Sequence, residues 1–184
     1  MRIYSIIILK IMEFFEVLKI RHSCRAYEER EIENEKIYRI LEAANSAPSA
    51  GNLQSYEIVL VRNGERKRKI AEASYNQIFI AQAPIVLIFC SNLYRAATKY
   101  GERGKELYAV QDATIACAYA QLAATALGLA SCWIGAFDES KIREIINAPL
   151  HIRPVAILPI GYASEKPLVT SRRKLSDLVR EESF

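Results

Sequence analysis

Apolar positions set the first outline of the chain. Over residues 12–20, "MEFFEVLKI", Phe14, Phe15, Leu18 and Ile20 recur at the spacing of a short amphipathic helix. In "NEKIYRILEAANSA" the positions Ile37, Ile40, Leu41 and Ala44 predict a second helix, opened by Glu33 or Asn34 and ended by Pro48. The segment "PSAGNLQ" that follows is a loop by composition, with Gly51 and Asn52 suited to unusual backbone angles. Residues 55–62, "SYEIVLVR", read as a strand, and "GERKRKIAEAS" as a helix. The continuous β-branched run at 84–91 predicts a strand buried on both faces. Residues 92–106 have no clear period and two glycines, which predicts a loop or mobile lid.

The strongest helical pattern is 107–127, "LYAVQDATIACAYAQLAATAL". It carries eight alanines and is apolar nearly all round, with Gly128 placed to end it. Such a helix predicts burial against its own sheet and against another chain. A short strand at 130–135 follows. Asp138 caps "ESKIREIIN", which Pro149 closes, and a last strand spans 154–163, with Pro159 predicting a bulge or an edge. Strands and helices alternate without repeats or linkers, which places residues 12–184 in one domain of the α/β or α+β class.

Composition adds exclusions. The 184 residues are 51% hydrophobic and 25% charged, an ordinary globular balance, and a net charge of +4 is too small and scattered to argue for nucleic acid. The basic run Arg66–Lys69 reads as a solvated helix face. Cys24, Cys90, Cys117 and Cys132 show no metal-type spacing, and the free thiols suit a reducing cytoplasm. Residues 1–11 loosely resemble a signal peptide, but Lys10 breaks the apolar run well short of a membrane span. They read as an N-terminal extension: an edge strand, a partner-covering arm, or the product of an upstream start codon with Met12 the more natural beginning.

The richest chemistry lies in "RHSCRAY", residues 21–27. A zinc site needs about four ligands and only His22 and Cys24 are local, so no metal is expected. A Cys24 nucleophile needs a histidine base and an orienting group, and the setting of His151 offers neither. Solvated surface arginines remain an open alternative. An anion clamp explains more. Arg21 and Arg25, with Ser23 between them, offer forked donors and a hydroxyl to a phosphate, and Arg172-Arg173-Lys174 supplies a second basic cluster.

At this point four stretches, in this order, resemble the nitroreductase family of flavoproteins: "RHSCRAY", "LEAANSAPSAGNLQSYEIVLV", "DATIACAYAQLAATALGLASCWIGAFDESKIREII" and "VAILPIGYASEKP". The resemblance runs from about Met12 to the C-terminus. It implies an α+β sandwich, a mostly antiparallel central sheet flanked by helices, assembled as an intertwined homodimer. It also implies FMN held without a covalent bond at the dimer interface, with both chains contributing. Arg21, Ser23 and Arg25 match the family's Arg-x-Ser-x-Arg and would meet the phosphate and ribityl chain. His22 stands where a second arginine is more usual.

Pro48, Ser49, Asn52 and Gln54 match the "APS…N.Q" loop, in which Asn52 would reach the flavin's polar edge from the partner chain. Ser55-Tyr56 departs from the more common Pro-Trp. Ile134, Gly135 and Ala136 match a "WIGGF"-type turn, whose backbone N–H groups would approach flavin N5, with Gly135 the closest. A role for Gly135 in tight strand packing stays open, as does a simple turn role for Gly51 and Asn52. Arg172 or Arg173 matches a C-terminal basic residue on the phosphate.

The activity implied is that of a cytoplasmic FMN-dependent oxidoreductase. Hydride would pass from NADH or NADPH through the flavin to a small-molecule acceptor, such as a nitroaromatic or a quinone, in a ping-pong cycle with no catalytic side chain. A flavin destructase, a dehalogenase-like enzyme and a non-catalytic flavin-binding or electron-storage protein are the alternatives. The 92–106 segment, with Tyr94, Tyr100 and Tyr108 in or beside it, would form the lid that faces the acceptor.

Overall fold

The fold was derived from a computed structural model, which describes residues 12–168 and 170–184. The expectation for residues 1–11 lies outside them. Helix α1 (Phe14–Ile20) is capped by Glu13, whose carboxylate accepts from the Phe15 N–H at 3.0 Å and the Glu16 N–H at 3.3 Å. It buries only Val17, while Phe14, Phe15 and Leu18 stay exposed. Helix α2 (Asn34–Asn45) buries Ile37, Ile40 and Ala44 against helix α6 (Ala109–Ala126).

The sheet holds β1 (Tyr56–Val61), β2 (Ile85–Asn92), β3 (Ala130–Ser131) and β4 (Ile152–Gly161) in the order β1-β2-β4-β3, every pair antiparallel. Side chains alternate across it. Ile85, Leu87 and Phe89 of β2 meet Ala156, Leu158 and Ile160 of β4 on the face covered by α2 and α6. Val86, Ile88 and Cys90, with Ile157, face α3 (Gly64–Ala73), α4 (Phe79–Gln82) and α7 (Glu139–Ile145). Two cores therefore sandwich one sheet, and the continuous apolar run of β2 reflects burial on both sides. Each fully buried aliphatic side chain contributes about 1.5–3 kcal/mol by leaving water.

Several expectations are revised. Residues 92–106 are helical: α5 (Leu93–Arg103), capped by Asn92, runs into a π-helical turn at 104–108 that joins α6 directly. The two glycines that hide this helix have separate tasks. Gly101 breaks it at φ 56°, and Gly104 lets the π-turn press onto Ala96. The strand expected at 130–135 shortens to β3, followed by a single bridge from Ile134 to Ile157.

Pro159 lies in an interior strand, opposite Val86, and the bulge sits elsewhere, where Val155 is the extra residue between Ala156 and Pro154. Pro159 is tolerated because its open side faces the level at which the β3 ladder has ended; its carbonyl accepts there from the Cys132 N–H at 3.4 Å. The basic run on α3 is not wholly solvated. Lys67 turns inward and donates to the Ala83 carbonyl at 2.6 Å, at the end of α4.

A Cβ at Gly104 would lie 2.5 Å from the Ala96 carbonyl oxygen, a backbone atom with little room to move. Gly104→Ala is expected to lose about 1–3 kcal/mol of stability, read as a lower urea midpoint with an unchanged slope.

Candidate functional site

Segment 21–27 leaves α1 at Arg21, whose N–H donates to the Val17 carbonyl, and continues as an extended ribbon along the outer edge of β3. The Cys24 N–H donates to Ser131 at 3.1 Å, Glu28 to Tyr162 at 2.9 Å, and Ser164 back to Ala26 at 3.0 Å. Burial alternates along the ribbon: Ser23 and Arg25 are exposed, and Cys24 between them is fully buried. Among the described residues neither Arg21 nor Arg25 is paired with a carboxylate side chain. Both guanidinium charges are thus free for an anion. Arg25 touches Ser23 through Nη1 and the carbonyl at 3.4 Å, and its N–H donates to the Glu165 carboxylate at 2.6 Å.

Two reactive groups of the motif are otherwise engaged. Burial pushes the Cys24 thiol up from its ordinary value, the nearby Glu165 carboxylate adds to this, and the S–H donates to the Ala26 carbonyl at 3.1 Å. A thiol held protonated in this way is a poor nucleophile. His22 Nδ1 lies 3.1 Å from the Ile20 carbonyl, while Nε2 is buried without a partner. His151 stacks on Tyr94 at 4.4 Å.

The loop carrying Pro48, Ser49, Asn52 and Gln54 is built on a 3₁₀ turn at Ala50–Asn52 that itself contains left-handed residues, with one more just after it. Gly51 and Asn52 have φ 57°, and Gln54 has φ 50°. Asn tolerates this region, whereas Gln54 is held there against its preference. Ser49 Oγ accepts from the Gln54 N–H at 2.9 Å, and the buried Asp112 carboxylate of α6 accepts from Ala50 N–H at 2.9 Å and Ser55 N–H at 3.2 Å. From the other side Arg95 of α5 donates to the Leu53 carbonyl. A Cβ on Gly51 would meet Tyr100 Oη at 2.6 Å and Lys99 Nζ at 2.8 Å, side-chain ends that can shift, so it is the positive φ that favours glycine there.

Pro48 and Ser49 line a cleft of about 540 Å³ with Tyr108, Val110, Gln111 and Ile115, at the start of α6. Arg21 and His22 line another, of about 220 Å³, with Thr125 and Leu129 at the far end of that helix. From Asp112 to Thr125 is 125 − 112 = 13 residues. At a rise of ~1.5 Å each, that sets the two clefts roughly 20 Å apart on one chain.

Ile134 is buried and bonded to Ile157 in both directions, whereas Gly135 is exposed. A Cβ at Gly135 would meet nothing within 4 Å, so strand packing does not require glycine there. Arg172 bonds to Thr170 and Ser171, and Arg173 to Asp177, all within the C-terminal tail, whose helix α8 (Leu175–Leu178) buries no residue. These two arginines are not joined by any described hydrogen bond to segment 21–27.

Sequence reasoning missed two residues. Asp112 carried a signal, as the lone charge in an apolar alanine-rich helix. Glu165 carried none, since only the fold brings it to Arg25 and Cys24.

A family model described as the nitroreductase family matches residues 18–84 and 74–162. A Bacillus subtilis protein named FMN reductase [NAD(P)H] is 30% identical over 94% of this chain and 74% of its own length. A Thermus thermophilus protein named NADH dehydrogenase is 29% identical over 86% of this chain and 91% of its own. Among solved structures, NfrA2 of B. megaterium superposes with a TM-score of 0.87 at 29% identity, covering 94% of this chain and 76% of that one. A nitroreductase family protein of Clostridium difficile gives 0.84 at 33% identity, covering 94% and 100%.

Asp112→Asn puts an amide NH₂ opposite one of the two N–H donors that the carboxylate now satisfies. The variant is expected to lose about 1.5–3 kcal/mol in urea unfolding, with faster hydrogen exchange at the Ala50 and Ser55 amides than at the sheet.

Proposed function

This chain belongs to the nitroreductase family, and from that premise we propose that it is an FMN-dependent oxidoreductase. It draws on NADH or NADPH and serves nitroaromatics, quinones or other electron-poor acceptors. FMN, when bound, supplies the redox chemistry, taking hydride at N5 and yielding electrons in a second half-reaction. The chain's own residues supply the binding, orientation and exclusion of water.

One observation carries the reading: the two clefts that hold the candidate residues lie at opposite ends of α6. A single chain cannot close both around one ligand. Two chains related by a two-fold axis, with their α6 helices antiparallel, bring the first cleft of one to the second cleft of the other, twice. The apolar positions that α6 leaves half-exposed, Val110, Ile115, Ala118 and Leu122, with Tyr119, supply a face for that pairing, as do Phe14, Phe15 and Leu18 of α1. The proposed assembly is therefore a homodimer with two composite sites.

The residues fit FMN. Arg21 and Arg25 offer unpaired guanidinium groups to the phosphate, with the Ser23 hydroxyl beside them. Asn52, exposed on a loop seated by Asp112 and α5, presents an amide to the polar edge of the ring from the other chain. Gly135, open and without a side chain, lets a planar ring approach the backbone, and its N–H donates to no described protein acceptor. Pro48, Ser49 and Gln54 line the ring side, and Ile134 fixes the strand from which Gly135 projects. Arg172 and Arg173 reach the phosphate only if the C-terminal tail repacks in the assembly.

The purified protein is expected to be yellow and dimeric, with about one FMN per chain, to bleach on anaerobic addition of NADH or NADPH, and to recolour with a quinone or nitroaromatic. Arg25→Ala is expected to weaken FMN retention roughly 10- to 100-fold, the equivalent of one charge-assisted contact. A yellow protein that neither nicotinamide reduces would overturn the reductase reading, and a monomer that holds FMN at full affinity would overturn the composite site.

A further inference from the structure

We propose that His22, Cys24 and Glu165 form a binding site for a thiophilic divalent metal ion of the Zn²⁺ class. Their ligand atoms all lie within 4.8 Å of one another. Spacing along the chain offers only two of the three, since Glu165 arrives from 140 residues beyond Arg25. Successive side chains of an extended ribbon point to opposite faces, so His22 and Cys24 share one face while Arg21, Ser23 and Arg25 take the other. Ser23 and Arg25 therefore stay available to a phosphate, while Arg21 shares a cleft with His22 and Glu165.

Each ligand is already oriented by a second interaction. The Ile20 carbonyl can only accept, so His22 Nδ1 carries the proton and Nε2 presents its lone pair. That nitrogen is buried and lacks a partner, a cost that a metal ion removes. The Arg25 N–H holds Glu165 Oε1 at 2.6 Å and leaves Oε2 free to ligate. Cys24 is fixed through its N–H to Ser131.

Metal bonds of about 2.0–2.3 Å in a tetrahedron set ligand atoms roughly 3.5 Å apart, so the cluster must close by about 1 Å. Glu165, exposed after the last strand, is the member free to move. On binding, the Cys24 proton now donated to Ala26 passes to solvent, and thiolate, carboxylate and neutral imidazole balance the 2+ charge. A water completes the coordination.

The test is calorimetric titration of the FMN-loaded, chelator-treated protein with Zn²⁺, in two buffers of different ionisation enthalpy. About one Zn²⁺ per chain is expected, with about one proton released. Loss of an outer partner of a metal site weakens binding about 10- to 100-fold, so Cys24→Ser and His22→Gln should each weaken it at least roughly 100-fold. Glu165→Gln should weaken it about 10-fold, and Cys132→Ser, at the neighbouring buried thiol, should leave it unchanged. Circular dichroism confirms that each variant is folded, and the exposed Glu165 keeps the test open should the buried Cys24 variant fail to fold. Absence of stoichiometric uptake by the unaltered protein, or uptake that survives both Glu165→Gln and His22→Gln, overturns the site. Uptake does not depend on reduction by nicotinamide, so the two readings fail separately.

Discussion

The Asp112 carboxylate accepts one N–H from Ala50 and one from Ser55, and the two ends of the 48–55 loop hang from this pair of bonds. The acid is buried near the start of α6, where an unpaired charge would be far more costly than the pair of bonds is stabilising. Its presence there makes sense only if the loop is seated, and the loop is seated only if α6 is in place. The alanines around it serve the same end. Ala109, Ala113, Ala116, Ala120 and Ala124 let α6 lie close to the sheet and to α2, so the position of one carboxylate is transmitted from a well-packed core to a surface loop.

The layered architecture was legible because burial leaves a direct trace in the sequence. The run from Ile85 to Cys90 is apolar at every position since both faces of β2 are covered, and the alanine-rich stretch of α6 reflects a helix with neighbours on most sides. Less legible were features that depend on a single contact from a distant element. The helix at 93–103 was masked by Gly101 and Gly104, whose roles are a backbone break and a close approach to Ala96. Lys67 looked like one of four solvated cations until the carbonyl of Ala83 gave it an inward partner. Pro159 reads as an edge residue in isolation, but the shortness of β3 creates a local edge inside the sheet.

The candidate site divides in the same way. The arginines of segment 21–27 and the glycine at 135 are recognisable by type and order. The alternation that separates Ser23 and Arg25 from Cys24 becomes visible only once the ribbon is paired to Ser131. That alternation sets the hydroxyl and guanidinium donors of Ser23 and Arg25 on one side of the ribbon and the Cys24 thiol on the other. The distance between the arginines and the 48–54 loop is set by the length of α6, a quantity the sequence contains but does not relate to either motif.

The left-handed turn at Gly51, Asn52 and Gln54 has a thermodynamic consequence. A loop whose backbone is bolted from α6 by Asp112, from α5 by Arg95, and internally by Ser49 has few alternative shapes to surrender. The ordering entropy that a flexible loop loses when it closes on a ligand is here expended during folding, before any ligand arrives. A ligand that met this loop would dock on a preformed surface, with selectivity set by shape rather than by adaptation.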